Sequence, residues 1–195
     1  MAYRRHTHSD YALRIQAACT INKETNMTKH YVIMGICGCG KTTAAQTIEQ
    51  HLNCAYAEGD DFHTQANRDK MGAGIPLTDE DCFPWLENLR DWMSEQAQNG
   101  ATHTVVTCSA LKKIYRDILR GAQGDVYFVH LSPPVELNRE RMAARQGHYM
   151  KASMIDSQLA ILEPLQSDEL GIVIDNAGSP EDVAVDIRAW LDSEH

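Results

Sequence analysis

The sequence predicts one α/β domain built on a parallel sheet. Three observations predict it. First, the apolar run Tyr31-Val32-Ile33-Met34 leads into the glycine-rich Gly35-Ile36-Cys37-Gly38-Cys39-Gly40-Lys41-Thr42 and then into a helix-forming stretch, Thr43 to Gln50. Second, short apolar runs alternate with helical stripes along the rest of the chain, the pattern of repeated strand–helix units. Third, 195 residues at 43% hydrophobic content suffice for the core of one generous domain.

Residues 1–28 stand apart. Their start, Met1 to His8, is polar and basic, Ser9 can cap a short helix through Ala18, and Asn22 to Lys29 reads as polar linker. The expectation is a flexible N-terminal extension, with the domain occupying 29–195 and starting close to Met27. A targeting peptide is the less favoured reading, because the segment is short and mixed. The first strand begins at Tyr31. The segment Gly35 to Thr42 matches G-x-x-x-x-G-K-[ST], and its strand and helix flanks are the context that confirms a phosphate-binding loop. Glycines let the backbone curl until several N–H groups face one anion, and the helix that follows adds its own N–H groups and dipole. Gly35, Ile36, Cys37, Gly38, Cys39, Gly40, Lys41, Thr42 and Thr43 are therefore the candidate nucleotide site. Lys41 can reach the outer phosphates, and the Thr42 hydroxyl can ligate Mg²⁺.

Cys54 to Glu58 reads as a second strand that ends in Gly59-Asp60-Asp61-Phe62-His63. In a parallel sheet the carboxyl ends of strands line the ligand crevice, so Asp60 and Asp61 should open toward the nucleotide. One of them can orient an acceptor hydroxyl and take its proton, or hold a Mg²⁺-bound water. A short helix holds Asn67 to Met71, and Gly72 to Pro76 breaks it. Thr78 caps the next helix, with Asp79, Glu80 and Asp81 in its first turn and Trp85, Leu86, Leu89, Trp92 and Met93 as a core stripe. His103 to Cys108 is the third strand, and Ile114 to Arg120 is helical. Lys112, Arg116 and Arg120 recur on one face there as a plausible anion site, with Lys113 and Arg120 better read as solvated. Asp125 to Leu131 is the fourth strand, and a helix opened by Pro133-Pro134 runs through Arg145. Arg141 and Arg145 share a face and precede Gly147-His148, a pattern that suits a mobile lid closing over phosphates. Ser153 starts a further helix, Gly171 to Asp175 is the last strand, and Ser179-Pro180 opens the terminal helix.

Composition narrows the function. A net charge of -9 with no basic block argues against nucleic-acid and membrane-surface partners. No apolar run approaches the ~20 residues of a membrane span. Six cysteines lack paired zinc spacing, so reduced thiols in a cytoplasmic protein are the simplest reading. A GTP-dependent switch would need N-K-x-D downstream of the loop, and there is none.

From Tyr31 to about Trp190 the chain resembles the gluconokinases, small phosphate-loop kinases related to shikimate and nucleoside monophosphate kinases. The resemblance rests on Gly35 to Thr42; on Gly59-Asp60 with His63, Asn67 and Lys70-Met71; on Gly74 and Pro76-Leu77-Thr78-Asp79 leading to Pro84-Trp85-Leu86; on Cys108-Ser109-Ala110-Leu111-Lys112 with Tyr115-Arg116 and Leu119-Arg120; and on Arg141, Arg145, Gly147-His148 and Met150. It implies an α/β three-layer P-loop kinase fold, a five-stranded parallel sheet in order 2-3-1-4-5 flanked by helices, with a mobile lid. It also implies ATP-dependent phosphorylation of D-gluconate at its C6 hydroxyl by a homodimer. On that likeness the catalytic set is Lys41, Asp60, Arg141 and Arg145. The substrate set is Asp60, His63, Asn67, Lys70, Lys112, Arg116 and His148, the metal residue is Thr42, and adenine lies near Arg141 and the loop 175–179. Whether Asp60 or Asp61 is the base stays open. Cys37 and Cys39 depart from the family's usual serines. Beside Lys41 and a helix N-terminus they are expected to have lowered pKa values and to oxidise readily, as one of two readings; the other is inert small residues.

Overall fold

The computed structural model describes residues 27–144 and 153–194. Residues 1–26 of the expected N-terminal extension, Arg145, Gly147, His148 and Met150 lie outside the described residues; Thr28, at the end of that extension, is buried and donates to Ala101 O at 2.7 Å, so it belongs to the domain. The elements follow in the order β1 (Lys29–Met34), α1 (Lys41–Leu52), β2 (Ala55–Glu58), a 3-10 turn (Gly59–Phe62), α2 (Gln65–Gly72), α3 (Asp79–Gln98), β3 (His103–Thr107), α4 (Lys113–Leu119), β4 (Asp125–Leu131), α5 (Val135–Ala144), α6 (Ser153–Ile161), β5 (Leu170–Ile174) and α7 (Pro180–Ser193). The sheet has the order β2-β3-β1-β4-β5, which is the order expected, and every pairing is parallel.

β1 sits at the centre, paired on both sides and buried along nearly its whole length. Side chains on a strand alternate between faces, so β1 feeds two cores. Tyr31 and Ile33 pack with Val105, Tyr127 and Val129 under α1 and α7, which contribute Ala45, Ile48, Ile187 and Leu191. Val32 and Met34 pack with Val106 and Phe128 under α3 and α4, through Leu86, Leu89, Met93 and Leu119. Each large apolar side chain buried in this way contributes about 1.5–3 kcal/mol. β1 starts two residues earlier than its apolar run suggests, because Lys29 N–H donates to Thr102 O at 3.0 Å and the ladder to β3 begins there.

The caps match the sequence pattern. Thr78 and Asp81 form a reciprocal capping box on α3, and Ser179 and Asp182 form another on α7. Since all strands run the same way, the carboxyl ends of β1, β2 and β3 open on one edge. That edge carries the loop after Met34, the turn after Glu58 and the segment after Thr107. Among the described residues no helix is long and apolar enough to cross a membrane.

Candidate active site

The segment 35–40 closes into the expected cradle. Gly35, Gly38 and Gly40 all have positive φ. At Gly38 (φ +79) a Cβ would lie 2.5 Å from Met142, so the residue must be glycine for both torsion and space. Lys41 opens α1 and folds its ammonium back onto the loop, donating to Gly35 O at 3.1 Å and Ile36 O at 3.0 Å. Two asparagines brace the loop from behind. Asn138 on α5 donates to Cys37 O at 2.9 Å, and buried Asn176 donates to Cys39 O at 2.5 Å. Gln158 on α6 accepts the Cys37 N–H at 2.6 Å.

Thr42, the expected metal residue, donates through its hydroxyl to Glu58 Oε2 at 3.1 Å. Glu58 ends β2 and also accepts from the hydroxyls of Tyr56 and Thr107. Its register partner on β3 is Thr107, so the pairing of the two strands delivers this carboxylate to the loop. Glu58 was absent from the sequence-derived set; its only sequence signal is a strand-terminal carboxylate two residues before Asp60. A hydroxyl beside a carboxylate is a hard-oxygen donor pair of the type Mg²⁺ takes, with phosphate oxygens and waters completing the shell. No group of three or more His, Cys, Asp or Glu that could hold a metal ion occurs among the described residues.

One cleft of about 620 Å³ joins the loop to the acceptor side, and Lys41, Thr42, Glu58, Asp60, His63 and Lys112 all line it. Asp60 stands on the 3-10 turn with its side chain 80% exposed, 3.9 Å from His63 Nε2. The turn cannot drift: Gly59 N–H donates to Thr107 Oγ1 at 3.0 Å, and Trp85 Nε1–H donates to Gly59 O at 2.7 Å. A Cβ at Gly59 would lie 2.0 Å from Thr107 O, so only glycine permits this approach. His63 stacks on Trp85 with ring centroids 4.2 Å apart. Burial pushes its pKa below the ordinary value; the pull of Asp60 does not reverse that, and Arg68 adds to it. His63 is therefore a neutral hydrogen-bonding group at neutral pH.

The remaining expected residues divide. Lys112 lines the cleft and pairs with Asp79 at 2.6 Å, and the Tyr115 hydroxyl donates to the same Asp79 oxygen at 2.5 Å. Lys112 first, and Tyr115 second, hold the Asp79 carboxyl below its usual range. Lys70 is engaged with both oxygens of Asp81, at 2.6 and 2.7 Å. Asn67 is buried, with its amide on Asp81 O at 2.8 Å. Neither Lys70 nor Asn67 lines the cleft; both hold α2 against the start of α3.

Arg116 corrects the sequence-based expectation. It is fully buried, bonded to Glu169 at 2.6 and 3.0 Å and to the carbonyls of Ala110, Leu111, Glu163 and Pro164. With its donors spent inside, it pins the segment before β5 to α4 and does not line the cleft. Burial pushes the Glu169 carboxyl up, but Arg116 and the Gln166 N–H outweigh this and leave it below its usual range. Arg120, on the same helical face by spacing, pairs with Asp117 and Asp168 at the surface.

Arg141 reaches the far side of the loop. It donates to Asn176 O at 3.0 Å, Asn176 Oδ1 at 3.2 Å and Gly178 O at 2.9 Å. With Asn176, Thr43 and Thr47 it lines a second cavity of about 340 Å³. The likeness placed Arg141 both at the transferring phosphoryl and beside the adenine; these bonds tie it to the loop 175–179.

The cysteines follow the second of the two readings, inert small residues. Cys39 is 0% and Cys37 7% exposed, and burial raises both thiols despite the lowering pull of Lys41. Inert small residues therefore fit the structure better than reactive thiolates, because the loop buries both sulfurs.

A five-stranded parallel sheet in this order, with a glycine cradle at the end of its central strand, a lysine and a threonine at the helix that follows, and an acceptor cleft alongside, defines a small P-loop kinase. Residues 37–192 match the shikimate kinase family model. Gluconokinase of Gluconobacter oxydans is 42% identical over 84% of this chain and 91% of its own. Among solved structures, a sugar kinase from a Janibacter species is 47% identical, covering 85% of this chain and 95% of that one, with TM-score 0.81. A gluconokinase from Sinorhizobium meliloti is 34% identical over 86% and 95%, with TM-score 0.75. The chain belongs to the gluconokinase family, and it is a kinase.

Proposed function

We propose that the protein transfers the γ-phosphoryl group of ATP to the C6 hydroxyl of D-gluconate, giving 6-phospho-D-gluconate and ADP. One observation carries the reading: the phosphate loop, the Asp60 carboxylate and the Lys112 ammonium line a single cleft large enough for a sugar acid. The names of the relatives supply the particular acid. ATP brings the phosphoryl group, and Mg²⁺ neutralises its β,γ-oxygens.

The chain's own residues do the rest. The N–H groups of Gly38 to Thr42 surround the phosphates. Lys41 keeps one N–H on Ile36 O and turns the others to the outer phosphate oxygens, and Thr42 with Glu58 would hold the metal. Arg141 and Asn176 wall the adenine cavity. Asp60 accepts a hydrogen bond from the C6 hydroxyl, so that the oxygen faces the phosphorus, and takes the proton as the new O–P bond forms. Lys112 keeps one N–H on Asp79 and offers the others to the gluconate carboxylate. His63, being neutral, takes sugar hydroxyls. Arg145 and His148 complete the lid set proposed for the transferring group and the acceptor. A homodimer in the cytoplasm is the proposed setting.

The test is ADP release with Mg-ATP against D-gluconate, shikimate, other sugar acids and no acceptor, alongside Asp60→Asn. Turnover on gluconate, lost by a factor of about 10²–10⁴ in the variant, is the expected result. Turnover on shikimate alone, or ADP release indifferent to acceptor, would overturn the reading.

A further inference from the structure

The Ile36–Cys37 peptide is held at both ends. Its carbonyl, Ile36 O, accepts from the Lys41 ammonium at 3.0 Å. Its N–H, on Cys37, donates to Gln158 Oε1 at 2.6 Å. A peptide unit is rigid and planar, so fixing the direction of the N–H also fixes the direction of the carbonyl opposite it. That carbonyl is one of two, with Gly35 O, on which the Lys41 ammonium rests. The donor is an N–H, so the side chain must offer its oxygen, and the assignment of the carboxamide is forced by chemistry.

Gln158 does not belong to the loop. It sits on α6, and Met154, Ser157, Gln158 and Ile161 from that helix line the same cleft as Lys41 and Asp60. The bond spans 121 residues of sequence and joins the wall of the acceptor cleft to the phosphate loop. The loop's other braces, Asn138 and Asn176, grip carbonyls of Cys37 and Cys39. Gln158 alone among these three grips an N–H, and it does so on a peptide whose carbonyl holds the lysine.

We propose that Gln158 is a positioning residue for phosphoryl transfer. By holding the Cys37 N–H, it orients the Ile36–Cys37 peptide and, through Ile36 O, the ammonium of Lys41. The proposal deepens the kinase reading and rests on it for the identity of the acceptor. It does not rest on it for the role of the loop.

A double-mutant cycle in MgATP-analogue affinity tests it, with Gln158→Leu and Lys41→Met combined, and needs no acceptor. The expected result is that Gln158→Leu weakens the analogue by roughly three- to tenfold when Lys41 is present. The same substitution should have no effect in the Lys41→Met background. In steady state with gluconate, kcat should fall at least about tenfold while the gluconate KM stays within about threefold. The melting temperature should be unchanged, and if Gln158→Leu lowers it, Gln158→Ala is read in the same way.

Equal losses in both backgrounds would show that Gln158 does not act through Lys41 and would overturn the proposal. A loss carried by the gluconate KM, with kcat kept, would make Gln158 an acceptor-binding group and overturn it as well. Should the wild-type protein ignore gluconate, the substrate reading fails, and the affinity cycle still decides the role of Gln158.

Discussion

Replacing Arg116 by methionine separates a structural arginine from a substrate-binding one. Both Arg116 and Glu169 have side chains with no exposed surface, and their contacts are 2.6 and 3.0 Å. Methionine fills much of the volume but leaves a buried carboxylate whose remaining partner is the Gln166 N–H at 2.8 Å. Four carbonyls lose a hydrogen bond as well, of which Leu111 O and Pro164 O keep another donor, the Glu163 N–H and the Gln166 amide. Breaking a buried pair from one side costs about 3–5 kcal/mol. In a domain of this size each kcal/mol lowers the melting temperature by roughly 2–4 °C, so the expected fall is on the order of 6–20 °C. Thermal unfolding followed by circular dichroism measures it. Kinetics on the folded variant, taken well below its midpoint, should show a gluconate KM within about twofold of the parent. Replacing both partners, Arg116→Met with Glu169→Leu, should recover most of the loss, because an apolar pair of similar volume has no charge left to desolvate. The reasoning fails if the single variant melts within about 3 °C of the parent while its gluconate KM rises more than tenfold. That outcome would place the guanidinium in the cleft.

Gly38→Ala should cost about 1–2 kcal/mol of backbone strain at φ +79 and force Met142 aside. Nucleotide titration should show ATP affinity falling by roughly tenfold or more. Lys112→Ala should raise the gluconate KM by roughly tenfold or more with ATP affinity unchanged, since a charge-assisted hydrogen bond contributes about 1.5–3 kcal/mol. His30 is fully buried, with Nδ1 2.7 Å from Thr104 Oγ1 and Nε2 3.0 Å from Gln123 O. Burial lowers its pKa below 6.5, and the Gln123 carbonyl and Asp125 oppose this only in part. The unfolded chain therefore binds the extra proton first. The contribution of neutral His30 is complete above about pH 6.5 and is lost as pH falls below it. Urea midpoints at pH 7.5 and 5.5 should differ, and the difference should shrink in His30→Gln. Cys37 and Cys39, with raised pKa values and little exposure, should resist a thiol reagent at neutral pH until urea unfolds the protein. Rapid labelling with loss of ATP binding would restore the reactive-loop reading.

The legible parts of this site are those where the backbone itself is constrained. Gly35, Gly38 and Gly40 occupy positive φ, and Gly59 leaves no room for a Cβ; residue type there is dictated by torsion or contact, so the sequence displays it. The strands were legible for a related reason, since β1, β3 and β4 are buried on both faces and read as continuous apolar runs. What stayed hidden were partnerships set by how elements dock. Arg116 shares a helical spacing with Lys112 and Arg120, and that spacing is indifferent to whether the face meets solvent or Glu169, 53 residues away. Glu58 matters because the β2–β3 register sets it opposite Thr107, within reach of Thr42. Gln158 carries no signal at all, being one polar residue on a short helix. The cradle can therefore be read from its own eight residues, while the orientation of its lysine depends on a carboxamide more than a hundred residues downstream. Sequence motifs locate the phosphate grip; whether that grip is aimed at an acceptor is decided by the helix that walls the cleft.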